Sequence, residues 1–116
     1  MTDTKIKRIS LSDLLTKDER VCSLQEKERP EKIRKILEAY LNEFEVLEID
    51  LSNLRSLTPS LAYIAFGHLF DIFGDRISTN LRFIEESPIL SSRILDAIDR
   101  RKRVLESEKN YISVTV

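Results

Sequence analysis

Residues 47–74 form the stretch LEIDLSNLRSLTPSLAYIAFGHLFDIFG, which contains the patterns that most strongly indicate the fold class. Around its start, residues 45–51 hold four apolar side chains that fit no helical face over so short a run. This pattern predicts a strand that is buried on both faces. Asp50, followed by Ser52, predicts that the strand leaves the sheet there and enters a loop.

A helix is predicted to follow this loop. Thr58 can cap a helix and Pro59 suits its first turn, where a missing amide donor costs nothing. The body of the helix is apolar nearly all round, so it must be enclosed on most sides or contact a partner protein. Gly67 allows a neighbouring element to approach closely, and Gly74 is a natural C-terminal stop.

Two further helices are predicted on either side of this stretch. The first covers residues 30–43, where apolar side chains recur at helical spacing and the opposite face is charged. The second covers residues 88–106 and ends in a basic run at 100–103, where cations complement the helix dipole. The apolar face of the first helix consists of Ile33, Ile36, Leu37, Tyr40, Leu41 and Phe44.

The remaining segments complete the predicted sheet. Residues 4–11 suit an edge strand, residues 80–86 a further strand, and a short strand near 21–24 is an option. The tail 107–116 is of uncertain order or forms an extra edge strand. Helices alternating with strands predict a single α/β domain over 1–116, with a mixed, largely parallel sheet of about four strands and three main helices.

Composition excludes several classes of protein. The 116 residues include one Cys, one His and two Gly, which leaves no disulfide, no thiolate or histidine zinc site and no glycine-rich phosphate loop. No apolar run approaches the length of a membrane span, and the N-terminus lacks a signal-peptide core. We therefore expect a cytoplasmic protein without catalytic residues, metal or cofactor.

The quoted stretch resembles the centre of STAS-type domains, the sulfate-transporter and anti-anti-sigma-factor fold. It is most similar to the bacterial STAS-like family of unknown function. In that family, a strand with Asp is followed by a Thr/Ser-Pro-Ser-Phe-Ala stretch that opens a helix ending near Phe-Gly. Here these features stand as Asp50, Thr58, Pro59, Ser60, Leu61, Ala62, Gly67, Phe73 and Gly74. The resemblance covers roughly residues 22–103.

This resemblance implies a regulatory, non-enzymatic domain that switches partners with a histidine-kinase-like ATPase. Placed against the Asp-Ser-Ser-Gly motif of anti-anti-sigma proteins, Ser60 falls on the phosphorylated serine, and Thr58 replaces its Asp. A phosphate on Ser60 would meet free amides at a helix N-terminus and change how a partner docks. The alternative is that Ser60 only satisfies amide donors of the first turn.

The predicted partner-binding surface combines the strand exit with the start of the helix. Its residues are Asp50, Ser52, Thr58, Pro59, Ser60 and Tyr63. Among the aromatic residues of the helix, Tyr63 is the best candidate for exposure, because it replaces a carboxylate of the family pattern. Asp50 has an ordinary alternative role, in which it hydrogen-bonds its own loop.

Two other functions stay open at this stage. The basic run Arg100–Arg103, together with Lys5–Arg8, could associate with nucleic acid, although the net charge of -1 makes this unlikely and acidic residues flank the run. A small hydrolase or ligand-binding domain using Asp50 would need a concave pocket at the strand end with a second polar group. A homodimer is also possible.

Overall fold

A three-stranded sheet forms the centre of the computed structural model, which describes residues 5–85 and 88–115, with side chains as far as residue 109. The strands lie in the order β1-β2-β3, and both neighbouring pairs are parallel. They are β1 (Ile6–Ser10), β2 (Val46–Asp50) and β3 (Leu81–Ile84). The α/β class and the parallel pairing are confirmed, and β1 is an edge strand as predicted.

Helices surround one face of this sheet. Their bounds are α1 (Leu11–Thr16), α2 (Glu19–Cys22), α3 (Arg29–Glu43), α4 (Pro59–Leu61), α5 (Phe70–Phe73), α6 (Ile77–Asn80) and α7 (Ile89–Thr115). Between α4 and α5 the chain forms a π-helical turn (Ala62–Phe66) and a 3₁₀ turn (Gly67–Leu69). Further 3₁₀ turns cover Glu26–Glu28 and Gly74–Arg76. We call residues 59–73 the central helical segment.

The described residues contain no fourth strand. The option of a strand near 21–24 is wrong, because α2 and a turn occupy this region, and the Asp18 side chain caps α2 by accepting the Arg20 amide hydrogen. The C-terminal tail is helical as far as Thr115, so its described backbone does not form an edge strand. No Gly or Pro interrupts the chain between Ile89 and Thr115, which lets α7 continue. The single-domain organisation stays a prediction.

Strand β2 is buried on one face only. Leu47 and Ile49 have no exposed surface, whereas Val46, Glu48 and Asp50 on the other face are half-buried. The prediction of burial on both faces is therefore wrong. The physical reason is the alternation of side chains along a strand, which places both carboxylates of β2 on one face. On this face Glu48 pairs with Arg82 of β3 at 3.3 Å.

The core lies between the other face of the sheet and the long helices. The apolar face predicted for α3 is confirmed by the burial of Ile33, Ile36, Leu37 and Leu41. In α7, the buried residues are Ile94, Ala97 and Ile98. The central helical segment contacts both α3 and α7, and its buried residues include Ala62, Ala65, Phe66 and Leu69. Enclosure on two sides accounts for its nearly charge-free sequence.

Close packing is tightest where the central helical segment meets α7. A Cβ atom added at Gly67 would lie 3.0 Å from the carbonyl oxygen of Ala97, which belongs to the backbone of α7. The close approach predicted for Gly67 is therefore confirmed. The predicted stop is confirmed as well, because α5 ends at Phe73 and Gly74 adopts a φ of 63°.

Replacing Gly67 by Ala should destabilise the fold. The new methyl group would push against the α7 backbone at a cost of about 1–3 kcal/mol, which exceeds the gain of about 1 kcal/mol from better helix propensity. Urea unfolding followed by circular dichroism measures the difference. The exposed Ser107→Ala on α7 serves as control and should change the free energy of unfolding by less than about 0.5 kcal/mol. A Gly67→Ala variant as stable as the wild type would contradict this packing.

Candidate functional site

The start of the central helical segment is built as the sequence predicts. Thr58 has an extended backbone, and its Oγ1 accepts a hydrogen bond from the Leu61 amide at 3.1 Å. Pro59 follows as the first helical residue. Thr58 is therefore the N-cap, because its hydroxyl accepts the hydrogen of a first-turn amide. The alternative interpretation had given the role of satisfying first-turn amides to Ser60.

Ser60 lines a groove of about 810 Å³, which we call the Ser60 groove. The side chain of Ser60 is exposed, and its hydroxyl makes no hydrogen bond to any described residue. The groove is formed by the end of α1, the segment leading into α3 and the start of α4. Its lining residues are Leu15, Thr16, Gln25, Glu26, Lys27, Arg29, Pro30, Ser56, Thr58, Ser60 and Leu61.

Arg29 holds one wall of the Ser60 groove in place. Its guanidinium donates hydrogen bonds to the carbonyl oxygens of Leu24 at 3.1 Å and Cys22 at 3.2 Å. These bonds tie the turn before α3 to the first residue of that helix. Lys27, in contrast, is exposed and pairs with no described carboxylate. The groove therefore contains one fixed guanidinium and one ammonium group that is free to meet an anion.

Asp50 and Ser52 lie at the strand end and do not line the Ser60 groove. The Oδ1 atom of Asp50 accepts the Ser52 amide hydrogen at 2.9 Å. Hydrogen bonding from Ser52 lowers the pKa of Asp50, and the positive charge of Arg8 contributes to the same shift. This is the turn-forming role considered for Asp50, so its carboxylate stabilises the loop that leaves β2.

Tyr63 faces α7. It is half-buried, its hydroxyl accepts a hydrogen bond from the Arg101 guanidinium at 3.3 Å, and its ring stands edge-on to His68. The expectation that Tyr63 would be exposed at the partner surface is not met. Its ring lies within reach of α7 because the central helical segment packs so closely there.

The basic run 100–103 is largely engaged within the chain. Arg101 pairs with Asp71 at 2.7 Å, Lys102 with Asp75 at 2.8 Å, and Arg103 with Asp99 at 3.1 Å. Arg100 is exposed and pairs with no described carboxylate. The prediction that the run lies at the end of the helix is wrong, because α7 continues to Thr115. Two of these pairs join α7 to the end of the central helical segment and the turn after it.

A second concave surface lies at the strand ends, where the sequence alternative of a ligand-binding domain required a pocket. A crevice of about 450 Å³ is formed by the loop after β2, the end of β3 and the start of α7. Its lining residues are Leu51, Ser52, Asn53, Leu54, Arg55, Glu85, Ile89, Leu90 and Arg93. Arg55 follows β2 by a few residues, and ligands of parallel sheets bind at the carboxyl ends of strands. From the sequence, this rule pointed to Asp50, which does not line the crevice, and neither Arg55 nor Arg93 was singled out.

Two classes of site are not formed by the described residues. They contain no group of three or more His, Cys, Asp or Glu side chains that could hold a metal ion. In the same part of the chain, no helix is long and apolar enough to cross a membrane.

Comparison with known families supports the resemblance. A family model for a STAS-like domain of unknown function matches residues 31–89, about half of the chain. The chain belongs to this STAS-like family. The match begins in α3 and reaches the first residue of α7, so it includes the capped start at Thr58 and Ser60. No curated protein and no solved structure matches the chain significantly.

The two hydroxyl residues of the helix start should differ in their effect on stability. Thr58→Ala removes the cap and should lower the free energy of unfolding by about 1 kcal/mol. Ser60→Ala removes an exposed hydroxyl that bonds to no described residue and should change the free energy of unfolding by less than about 0.5 kcal/mol. Chemical denaturation of both variants measures the contrast. Equal losses would mean that Ser60 also stabilises the first turn.

The pair between Asp71 and Arg101 should make stability depend on pH. Arg101 donates two hydrogen bonds to Asp71, which lowers the pKa of this carboxyl below its ordinary value of 3.8. A lowered pKa in the folded state means that stabilisation is present above pH 3.8 and is lost as pH falls through the folded-state pKa.

Asp71→Asn should therefore cost about 1 kcal/mol at neutral pH, a modest loss because the pair is partly exposed to solvent. The difference from the wild type should shrink below the ordinary aspartate pKa. Denaturation curves recorded from neutral to acidic pH measure both effects. Asp96→Asn is the control, since Asp96 is exposed on α7 and pairs with no described cation. A difference that stays constant into acid would contradict the assignment.

Proposed function

We propose that this STAS-like domain is a non-enzymatic regulatory module that binds a protein partner through the Ser60 groove. The partner is a histidine-kinase-like ATPase, and phosphorylation of Ser60 controls the complex. Membership of the STAS-like family supports a regulatory role, and the resemblance of residues 58–61 to the switch motif of anti-anti-sigma proteins supports the choice of partner.

The observation that carries this proposal is the groove beside an exposed serine. Its walls combine apolar side chains, including Leu15, Pro30 and Leu61, with polar groups from three separate parts of the chain. Protein interfaces commonly have such a composition, with apolar contacts at the centre and polar groups at the rim. Thr58 fixes the position of the neighbouring Ser60 through its cap.

Phosphorylation would act on this surface through charge. A phosphoserine carries nearly two negative charges at neutral pH and three strong acceptor oxygens. The hydroxyl of Ser60 is exposed and engaged with no described residue, so a kinase can reach it without breaking an internal hydrogen bond. The phosphate would enter a groove lined by Lys27, Arg29 and Glu26. Its negative charges would change the electrostatic surface that the partner meets there, and this would weaken the complex.

The structure supports the alternative of nucleic-acid association less than it supports the binding of a protein partner. Three of the four cations at 100–103 pair with aspartates, and these pairs hold α7 to its neighbours or support its own turns. Only Arg100 in this run has no described ion-pair partner. Binding a phosphate backbone would require these pairs to exchange partners, which favours the protein-binding role.

Calorimetric titration with a purified histidine-kinase-like ATPase from the same organism tests the proposal. The wild type should bind, and Ser60→Asp, which imitates the phosphate charge, should weaken binding by about tenfold or more. The control is Ser92→Asp, the same substitution at an exposed position on α7, which should stay within about twofold of the wild type. Equal affinities of the three proteins would contradict a switch at Ser60.

Incubation with the same ATPase and MgATP, followed by mass spectrometry, tests the phosphorylation step. The wild type should gain one phosphate on the peptide that contains Ser60, and Ser60→Ala should gain none. Phosphate on another residue of the chain, or none on the wild type, would contradict the proposed modification even if the two proteins bind.

A further inference from the structure

The strand-end crevice is a fixed feature of the sheet and lies apart from the Ser60 groove. The amide of Leu51 donates a hydrogen bond to the carbonyl oxygen of Ile84 at 2.8 Å, which joins the exits of β2 and β3. Leu51 is almost completely buried beneath the crevice. None of the residues that line the crevice also lines the Ser60 groove, so the two surfaces can be tested separately.

Two arginines contribute positive charge to the crevice. Arg55 comes from the loop after β2 and Arg93 from the first turns of α7, and neither pairs with a described carboxylate. Glu85, a carboxylate that lines the crevice, already accepts the Ser91 amide hydrogen at 2.9 Å at the start of α7. Among the described residues, neither arginine of the crevice has a carboxylate partner, in contrast to Arg101, which pairs with Asp71.

Apolar side chains stand beside these charges. Ile89 is 59% exposed, a large value for an isoleucine, and it lines the crevice together with Leu54 and Leu90. The volume of about 450 Å³ falls within the range of about 300–1,000 Å³ that is typical of small-molecule sites. The crevice therefore offers an apolar surface and two planar cations that suit bidentate recognition of oxyanions.

We propose that the strand-end crevice binds a small organic anion, with its phosphate or carboxylate group between Arg55 and Arg93 and its apolar body against Ile89. This site is independent of partner binding at Ser60. Parallel α/β sheets commonly place ligands at the carboxyl ends of their strands, where this crevice lies. The two guanidinium groups supply positive charge that attracts the anion.

NMR titration of the ¹⁵N-labelled full chain tests the proposal with three probes: phenyl phosphate, hexanoate and inorganic phosphate. Saturable shifts of the amides at 51–55 and 89–93 are expected with phenyl phosphate or hexanoate, and the stronger of the two identifies the anionic group. Inorganic phosphate should bind more weakly, because it lacks an apolar body. Absence of saturable shifts at these positions with all three probes would overturn the proposal.

Three variants and a matched control separate the contributions. Arg55→Gln and Arg93→Gln should each lower the affinity for the preferred organic probe by about tenfold, since a hydrogen bond to a charged group is lost. Ile89→Ala should lower the affinity for the organic probe and leave the affinity for inorganic phosphate unchanged. Arg100→Gln, which removes an exposed arginine elsewhere on α7, should leave both unchanged. An equal loss of affinity with Arg100→Gln would show that the chain attracts anions only through its general positive charges, and it would overturn the proposal. The ATPase titration reports separately on the Ser60 groove.

Discussion

The close packing of the central helical segment between α3 and α7 is the constraint on which the rest of the structure depends. Small side chains at Ala62 and Ala65 allow the segment to be buried, and Gly67 brings it against the backbone of α7. A parallel sheet of three strands supports this packing on one face only. The helices therefore supply most of the enclosure that a small core needs to exclude water.

The same packing decides which side chains reach the surface and where. Tyr63 is turned toward Arg101 of α7, and Asp71 meets the same guanidinium, so this side of the segment is engaged internally. Ser60, at the opposite end of the segment, remains exposed beside the turn that precedes α3. The loop between β2 and the segment separates the Ser60 groove from the strand-end crevice. One buried element thus positions two distinct surfaces.

Local patterns in the sequence predicted the helices and strands better than they predicted the contacts that these elements make. The apolar spacing of α3, the cap at Thr58 and the stop at Gly74 depend on neighbouring residues, and the structure confirms each of them. The prediction that both faces of β2 are buried is wrong, because a short apolar run does not reveal whether one or both faces of a strand are covered. The orientation of Tyr63 and the presence of Arg55 and Arg93 in one crevice depend on contacts between distant segments, which periodicity does not encode.

Hydrogen–deuterium exchange of the chain bound to a histidine-kinase-like ATPase tests the central claim most directly, since it shows which surface the partner covers. Exchange slows where amides become protected from water and from local opening. Binding through the Ser60 groove predicts slower exchange in peptides covering residues 25–30 and 56–61, with residues 89–93 unchanged. Protection confined to residues 100–103, or to the half-buried face of the sheet around Glu48, would contradict it.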